Sequence, residues 1–147
     1  MKLKLTAVAL LLLGAAGCRA QTVTLTNDGP GPRISRDNAI AIAQQYNDLN
    51  EQYMLGQLPE VVIVIADHVA VSSVPDDVMG FTVCPRGNKK PCTIYLGLDA
   101  NGYGMRSLKF TLEHEACHVK TYGHGHDEVW QHCMFDLASK GAFHDLW

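Results

Sequence analysis

Residues 114 to 118 read His-Glu-Ala-Cys-His, and this HExxH pattern constrains the chain more than any other feature. Two histidines four residues apart lie on one face of an α-helix, about one turn from each other. Both imidazoles can then bind one Zn²⁺ ion, while Glu115 is placed to act as general base on a water molecule. The motif predicts a helix that carries part of a zinc-dependent hydrolytic site.

The residues around the motif have the period of an amphipathic helix. Gly104 marks the predicted start and Gly123 the predicted end. His114 and His118 lie well away from the apolar face, and Glu115 lies between the two faces. At 100° per residue the apolar face contains Met105, Leu108, Leu112, Ala116 and Val119.

The residues after the motif offer several candidates for a third zinc ligand. His124 follows His118 at the spacing of the metzincin pattern HExxHxxGxxH, but Thr121 stands where that pattern has glycine. His126 opens a second run with helical spacing, and a histidine at the start of a helix packed on the first would point inward. We therefore favour His126, with His124 as the alternative. Glu128 is a further candidate, by analogy with sites of two histidines and one glutamate.

The segment from about residue 105 to residue 140 resembles the SprT-like and related minimal zincin peptidases. The shared features are the HExxH helix, a short connection, and Gly125-His126 followed four residues later by an aromatic residue, Trp130. The chain has His126-Asp127 where the family usually has His-Gly. An export signal also differs from the intracellular, DNA-associated members, so their substrates are not carried over. The resemblance implies zinc ligands His114, His118 and His126, with Glu115 as the base.

The rest of the chain predicts a small α+β domain over residues 35 to 147. Ser35 is a suitable N-cap for a helix to about Leu55, and residues 61 to 66 form a β-branched run typical of a buried strand. Further strands are expected near residues 80 to 84 and 92 to 98. We predict a zincin-like fold with an N-terminal helix, a small mostly antiparallel sheet, the HExxH helix and a C-terminal helix. The strand just before the HExxH helix is expected to be an edge strand that can pair with an extended peptide.

Residues 1 to 17 have the pattern of an export signal, with two lysines, an apolar run and then small residues. The run is too short for a transmembrane helix. Cys18 follows the small residues and suggests a bacterial lipobox, in which this cysteine becomes the lipidated N-terminus. Cleavage after Ala20, as in an ordinary secreted protein, is the alternative. Residues 18 to 34 are predicted to be a tether, and the protein is expected to be exported, either lipid-anchored on the periplasmic face of the membrane or secreted.

The charge balance argues against nucleic acid as the main partner. The formal net charge is −3, and removal of the signal takes away two lysines and no acidic residue. The remaining body is mildly acidic and has no basic cluster, whereas nucleic-acid-binding domains present a basic face. The substrate itself stays open among a protein, a peptide and a peptidoglycan cross-link.

Four cysteines follow Cys18, and an even number in an oxidising compartment permits two disulfides. Cys84 and Cys92 flank a polar turn between two strand-like runs, so a bridge that closes this hairpin is the simplest interpretation. A second zinc site at this pair is the alternative. Cys117 and Cys133 lie on helices that should pack together. A bridge between them would fix the third ligand against the first two. The alternative is that both cysteines are unpaired and act as small buried apolar residues.

These features predict a zinc-dependent peptidase that acts in the cell envelope or outside the cell. The alternative is a non-catalytic, zinc-stabilised binding lipoprotein on the same scaffold. Glu115 favours the enzyme, because a structural zinc site does not require a general base. Tyr95, Tyr103 and Tyr122 are candidates for stabilising the oxyanion.

Overall fold

The computed structural model describes residues 8–12, 21–26, 34–87 and 91–146. Its fold is α+β, with three helices and one sheet in these ranges. The elements in chain order are β1 (Val8–Leu12), β2 (Gln21–Thr26), α1 (Arg36–Gln52), β3 (Val61–Ala66), β4 (Gly80–Val83), β5 (Cys92–Gly97), α2 (Met105–Lys120), α3 (Glu128–Ser139) and a 3₁₀ turn (His144–Leu146).

The described strands form one mixed sheet in the order β1-β2-β3-β5-β4. The pairs β2–β3 and β3–β5 are parallel, whereas β1–β2 and β4–β5 are antiparallel. The expectation of a mostly antiparallel sheet was therefore wrong. Helix α1 connects β2 to β3, and a crossover helix of this kind returns the chain to start the next strand in the same direction. The expected position of the edge strand was also wrong. Strand β5, just before α2, is interior, and β4 forms the edge.

Strand β2 falls within residues 18 to 34, for which we predicted a tether, so that prediction was wrong for residues 21 to 26. Threonines alternate with Val23 and Leu25 in this strand, the period of a strand with one buried face. Val23 is fully buried. Strand β1 lies inside the predicted export signal, and cleavage after residue 17 would leave β2 as the edge on that side. Cys18 lies outside the described residues.

The core is built on the face of the sheet that the helices cover. Two rows of side chains cross this face in register, one residue from each of β2, β3, β5 and β4. The first three members of each row are apolar, and five of these six are fully buried. Each row ends at the edge strand β4, the first in a polar residue and the second in a glycine. The rows are Val23-Ile63-Ile94-Thr82 and Leu25-Ile65-Leu96-Gly80.

The helix termini and the disulfides agree with the sequence. The Ser35 side chain accepts a hydrogen bond from the Asn38 main-chain N–H, so it caps α1 as predicted. Both predicted disulfides are present. Cys84–Cys92 closes the β4–β5 hairpin, and Cys117–Cys133 joins α2 to α3. Two disulfides indicate an oxidising, extracellular-type environment. None of the helices in the described ranges has the length and apolar character needed to cross a membrane.

Glu113 is a buried carboxyl on α2 that faces α1 rather than the HExxH face. Its side chain has no exposed surface, and its Oε1 accepts a hydrogen bond of 2.9 Å from the Gln45 amide. Its Oε2 has no hydrogen-bond partner among the described residues. Burial raises the pKa of Glu113 to about 7, opposed by Gln45 and by Lys109. In the folded protein Glu113 therefore keeps its proton up to about pH 7.

The raised pKa of Glu113 predicts that stability falls as the pH rises. Between its usual pKa and about 7 the folded state binds more protons than the unfolded state, so the free energy of unfolding decreases with pH. Glu113→Gln is neutral throughout and should lack this loss, which is on the order of 3 kcal/mol for such a shift. Chemical denaturation at pH 5 and pH 8 measures the difference. Glu60→Gln, which removes a charge at an exposed position, is the control. Equal pH dependence in Glu113→Gln and the unmodified protein would contradict the prediction.

Candidate metal centre

Three histidines converge in front of helix α2. His114 and His118 project from successive turns of α2, and His126 lies in the loop just before α3. The His126 Nε2 atom is 3.0 Å from His114 Nε2 and 3.2 Å from His118 Nε2. One ligand atom from each ring falls within 4.8 Å of the other two. The three side chains therefore form a cluster that could hold one metal ion.

The chemistry of this cluster fits zinc. Two nitrogens bound to the same tetrahedral zinc at the usual bond length lie about 3.3 Å apart, close to the separations seen here. Imidazole binds metal in its neutral form. Burial, followed by the neighbouring histidines, lowers the pKa of His114 to about 4. Burial and His126 also lower the pKa of His118. The neutral form of both rings, which is the form that binds metal, is therefore favoured at pH 7.

Trp130 and the adjacent main chain support the three rings. The Trp130 ring centroid lies 4.6 Å, 5.3 Å and 4.5 Å from the centroids of His114, His118 and His126. The His118 ring hydrogen-bonds to the main chain of His124, and a bond of this kind orients a metal-binding imidazole. The Gln131 side chain donates to the His126 carbonyl at 3.0 Å. The cluster is thus held by contacts with the start of α3.

The two alternative third ligands lie outside the cluster. His124 Nδ1 is 2.7 Å from Asp127 Oδ2, so this ring pairs with the residue that caps α3. The Glu128 carboxylate is exposed and lies 3.8 Å from His132 Nε2. Of the candidates, the structure brings His126 to the HExxH histidines, because Asp127 starts α3 immediately after it.

Glu115 is a buried carboxylate that lies at the cleft beside the histidines. The residue is 4% exposed, and its Oε1 lies 4.0 Å from His114 Nε2. Its Oε2 accepts a hydrogen bond of 2.6 Å from the Thr82 hydroxyl on β4. Burial raises the pKa of Glu115 to about 7, and the Thr82 hydrogen bond opposes the rise. A carboxyl with a pKa near neutrality can both take and return a proton.

A cleft of about 620 Å³ opens beside Glu115 and the three histidines. Strand β4 forms one wall, α2 another, and residues 122 to 126 close the end. Of the three candidate tyrosines, Tyr122 lines this cleft and is 55% exposed. Tyr103 instead donates to Asp99, and Tyr95 lies on the face of β5 opposite the buried Ile94.

Two residues of β4 that shape the site, Gly80 and Thr82, were not among the residues predicted from the sequence. Thr82 contacts Glu115, and Gly80 allows β4 to approach α2: a Cβ at Gly80 would lie 2.5 Å from the Thr111 Cγ2 atom and 3.0 Å from Glu115 Oε1. Gly80 is visible as a glycine at a strand start, which often marks a close approach. Thr82 has no such mark, because threonine is common in strands.

Asn101 joins the edge strand to the helix that carries the motif. Its buried amide donates to the carbonyls of Met79 and Gly97 at 2.8 Å and 2.7 Å. Its Oδ1 accepts from the hydroxyls of Ser107 and Thr111 at 2.9 Å and 2.7 Å. These four bonds hold the start of β4, the end of β5 and α2 together. The remaining histidines lie away from the cleft and beside acidic residues: His68, His132 and His144.

Removal of the Cys117–Cys133 disulfide should weaken metal binding. Cys117 lies within the HExxH motif and Cys133 lies on α3, so the bridge holds the start of α3 and His126 near the first two ligands. We expect Cys117→Ala/Cys133→Ala to lower zinc affinity about tenfold, the lower end of the range for losing an outer support of a ligand. Chelator competition measures this loss. Cys84→Ala/Cys92→Ala is the matched control, and equal losses in the two double variants would contradict the prediction.

Replacement of His126 should reduce zinc affinity far more than replacement of His124. His126→Ala removes one of three converging nitrogens, and we expect a loss of at least about 100-fold, the scale of a ligand contribution of several kcal/mol. His124→Ala removes a side chain that contacts Asp127 but leaves the main chain to which His118 bonds. Chelator competition on both variants, compared at equal folded fraction, tests the order. The reverse order would transfer the ligand role to His124.

Comparison with known proteins finds no relative of this chain. No protein-family model matches the chain, and neither a curated protein nor a solved structure matches it. The function of the cleft must therefore be argued from its own geometry and chemistry.

Proposed function

We propose that the protein is a zinc-dependent peptidase that hydrolyses peptide bonds in the cell envelope or outside the cell. The observation that carries this proposal is the position of Glu115, a buried carboxylate 4.0 Å from His114 at the wall of an open cleft. A general base next to three metal-binding histidines is an arrangement that suits metal-assisted hydrolysis of an amide bond.

The number of candidate ligands supports a catalytic site over a structural one. Structural zinc sites have four protein ligands and are closed, whereas catalytic sites have three and leave one position for water or substrate. The described residues bring three histidines together, and these residues also line the cleft. A binding lipoprotein stabilised by zinc, the alternative function, would not need Glu115 as a general base.

The residues of the cleft can be given separate roles. His114, His118 and His126 would hold zinc, which when bound polarises the scissile carbonyl and lowers the pKa of a water molecule. Glu115 would take the proton of the attacking water and return it to the leaving amine. Tyr122 is the tyrosine that lines the cleft, and its hydroxyl could donate to the developing oxyanion.

The free edge of β4 supports an extended peptide as the substrate. Gly97 N–H donates to the Met79 carbonyl, so Met79 and Gly97 form a hydrogen-bonded pair of the antiparallel ladder. Pairs alternate along such a ladder, and the main-chain groups of Gly80 and Thr82 therefore point away from β5. No described strand pairs with this side of β4. A substrate strand can add there by main-chain hydrogen bonds.

The proposed location follows from the N-terminal sequence and the disulfides. Residues 1 to 17 would direct export, and Cys18 would carry the lipid that anchors the protein to the membrane. The two disulfides are consistent with the oxidising side of that membrane. Substrates would then be proteins or peptides of the envelope or the surroundings, and nucleic acid is not expected.

Glu115→Gln tests the proposal directly. The amide keeps the size of the side chain but cannot accept a proton, so hydrolysis of an unfolded protein should fall at least about 100-fold. Zinc should remain at about one per chain, since the histidines are unchanged. A peptidase assay and elemental analysis of the same preparation measure both quantities. Glu128→Gln, at an exposed glutamate near the same cluster, is the control.

Two results would separate the alternatives. An unmodified protein that binds about one zinc but hydrolyses no peptide would support the binding lipoprotein. A protein that binds no zinc after expression with ample metal would contradict both functions.

A further inference from the structure

Thr82 connects the edge strand to the carboxylate of the HExxH glutamate. Its hydroxyl lies 2.6 Å from Glu115 Oε2 and 3.3 Å from the Glu115 carbonyl oxygen. The hydroxyl has one proton, and the shorter distance assigns that proton to the carboxylate. This bond leaves Oε1 as the oxygen on the side of His114, at 4.0 Å from Nε2. The two carboxylate oxygens are therefore in different environments.

The position of Thr82 in the sheet sets it apart from a core residue. Its row across the sheet continues Val23, Ile63 and Ile94, all of which are fully buried apolar residues. A valine would extend that row with nearly the same shape, but it would place a methyl group against the Glu115 carboxylate. The hydroxyl is thus the one feature of Thr82 that the packing of the row does not explain.

The glycine two residues before Thr82 brings β4 close enough for this bond. A Cβ at Gly80 would lie 2.5 Å from Thr111 Cγ2 and 3.0 Å from both Cγ and Oε1 of Glu115. Any side chain at Gly80 would have to displace Thr111 and press on Glu115, or move the strand away from α2. Gly80 and Thr82 thus act on opposite oxygens of one carboxylate, the first by leaving space and the second by donating a hydrogen bond.

Thr82 is not needed to hold β4 in place. Asn101 ties the start of the strand to β5 and α2, the ladder with β5 pairs all four residues of β4, and the Cys84–Cys92 disulfide holds its end. The Thr82 hydroxyl adds one hydrogen bond to a strand that is already fixed. This redundancy points to a role at the carboxylate rather than in the fold.

We propose that Thr82 is a positioning residue that holds Glu115 Oε2 and so presents Oε1 to the cleft as the proton-accepting oxygen. The proposal rests on the proposed peptidase function. Thr82 would also link substrate binding to the orientation of the base, because its main-chain groups point to the free edge where a substrate strand would pair. A peptide bound at this edge would contact the residue that orients the base.

The test compares Thr82→Val, Thr82→Ser and Thr93→Val. Valine keeps the β-branched shape and removes the hydroxyl, so kcat should fall about 10- to 100-fold, the effect of losing orientation of a reacting group, while KM stays within about twofold. Serine keeps the hydroxyl and should restore kcat to within about threefold of the unmodified protein. Thr93→Val is the matched control, since Thr93 lies one strand inward and faces away from the buried Ile94 side.

Zinc content and the Glu115 conformation give readouts that do not depend on activity. Zinc per chain and thermal stability should be unchanged in Thr82→Val, and a crystal structure of the zinc-loaded variant should show the Glu115 carboxylate rotated away from its position in the unmodified protein. An unchanged kcat or an unchanged Glu115 position would overturn the proposal. Equal losses in the serine and valine variants, together with lower stability, would also overturn it by showing a structural role.

The failure of the peptidase function would be distinguishable from these results. If the unmodified zinc-loaded protein hydrolyses no peptide, the proposed function fails. The crystal structures of the unmodified protein and of Thr82→Val still decide whether the hydroxyl orients Glu115.

Discussion

The site depends on which face of helix α2 is turned toward the core. Leu108, Leu112 and Ala116 are fully buried against the sheet and α1, and this burial sets which direction every other residue of the helix faces. Burial of each large apolar side chain contributes about 1.5 to 3 kcal/mol, far more than one surface contact. With that face inward, His114 and His118 point to the cleft, while Glu113 turns to α1.

Glu113 and Glu115 flank His114 in the sequence, but only Glu115 lies at the cleft. Glu113 is enclosed by α1 with one oxygen unpaired, whereas Glu115 lies at the wall of the cleft with one oxygen bonded to Thr82. Both have a pKa raised to about 7 by burial, because removal from water disfavours the charged form. Keeping these two acids out of water costs stability, and the buried core around α2 must offset that cost.

Helix α3 completes the cluster without contributing a ligand from its own turns. Asp127 is the extended N-cap of the helix, so His126 lies in the loop before α3, and its ring reaches the HExxH histidines. The Cys117–Cys133 disulfide and the Trp130 ring then fix the start of α3 against α2. A short loop between two helices is otherwise a weak place for a ligand, since loops are more mobile than the elements they connect.

The sequence by itself determined the features that depend on neighbours a few residues apart. The HExxH spacing predicted two histidines on one helix face, the apolar period predicted the buried side of α2, and Ser35 predicted the start of α1. Helical spacing also favoured His126 as the third ligand, but this histidine lies in the loop before α3 and not on the helix. Only the tertiary structure decided that β4 rather than β5 is the edge strand, that residues 21 to 26 belong to the sheet, and that Thr82 contacts Glu115. These features depend on strand order and on contacts between distant segments, which the local period of a sequence does not encode.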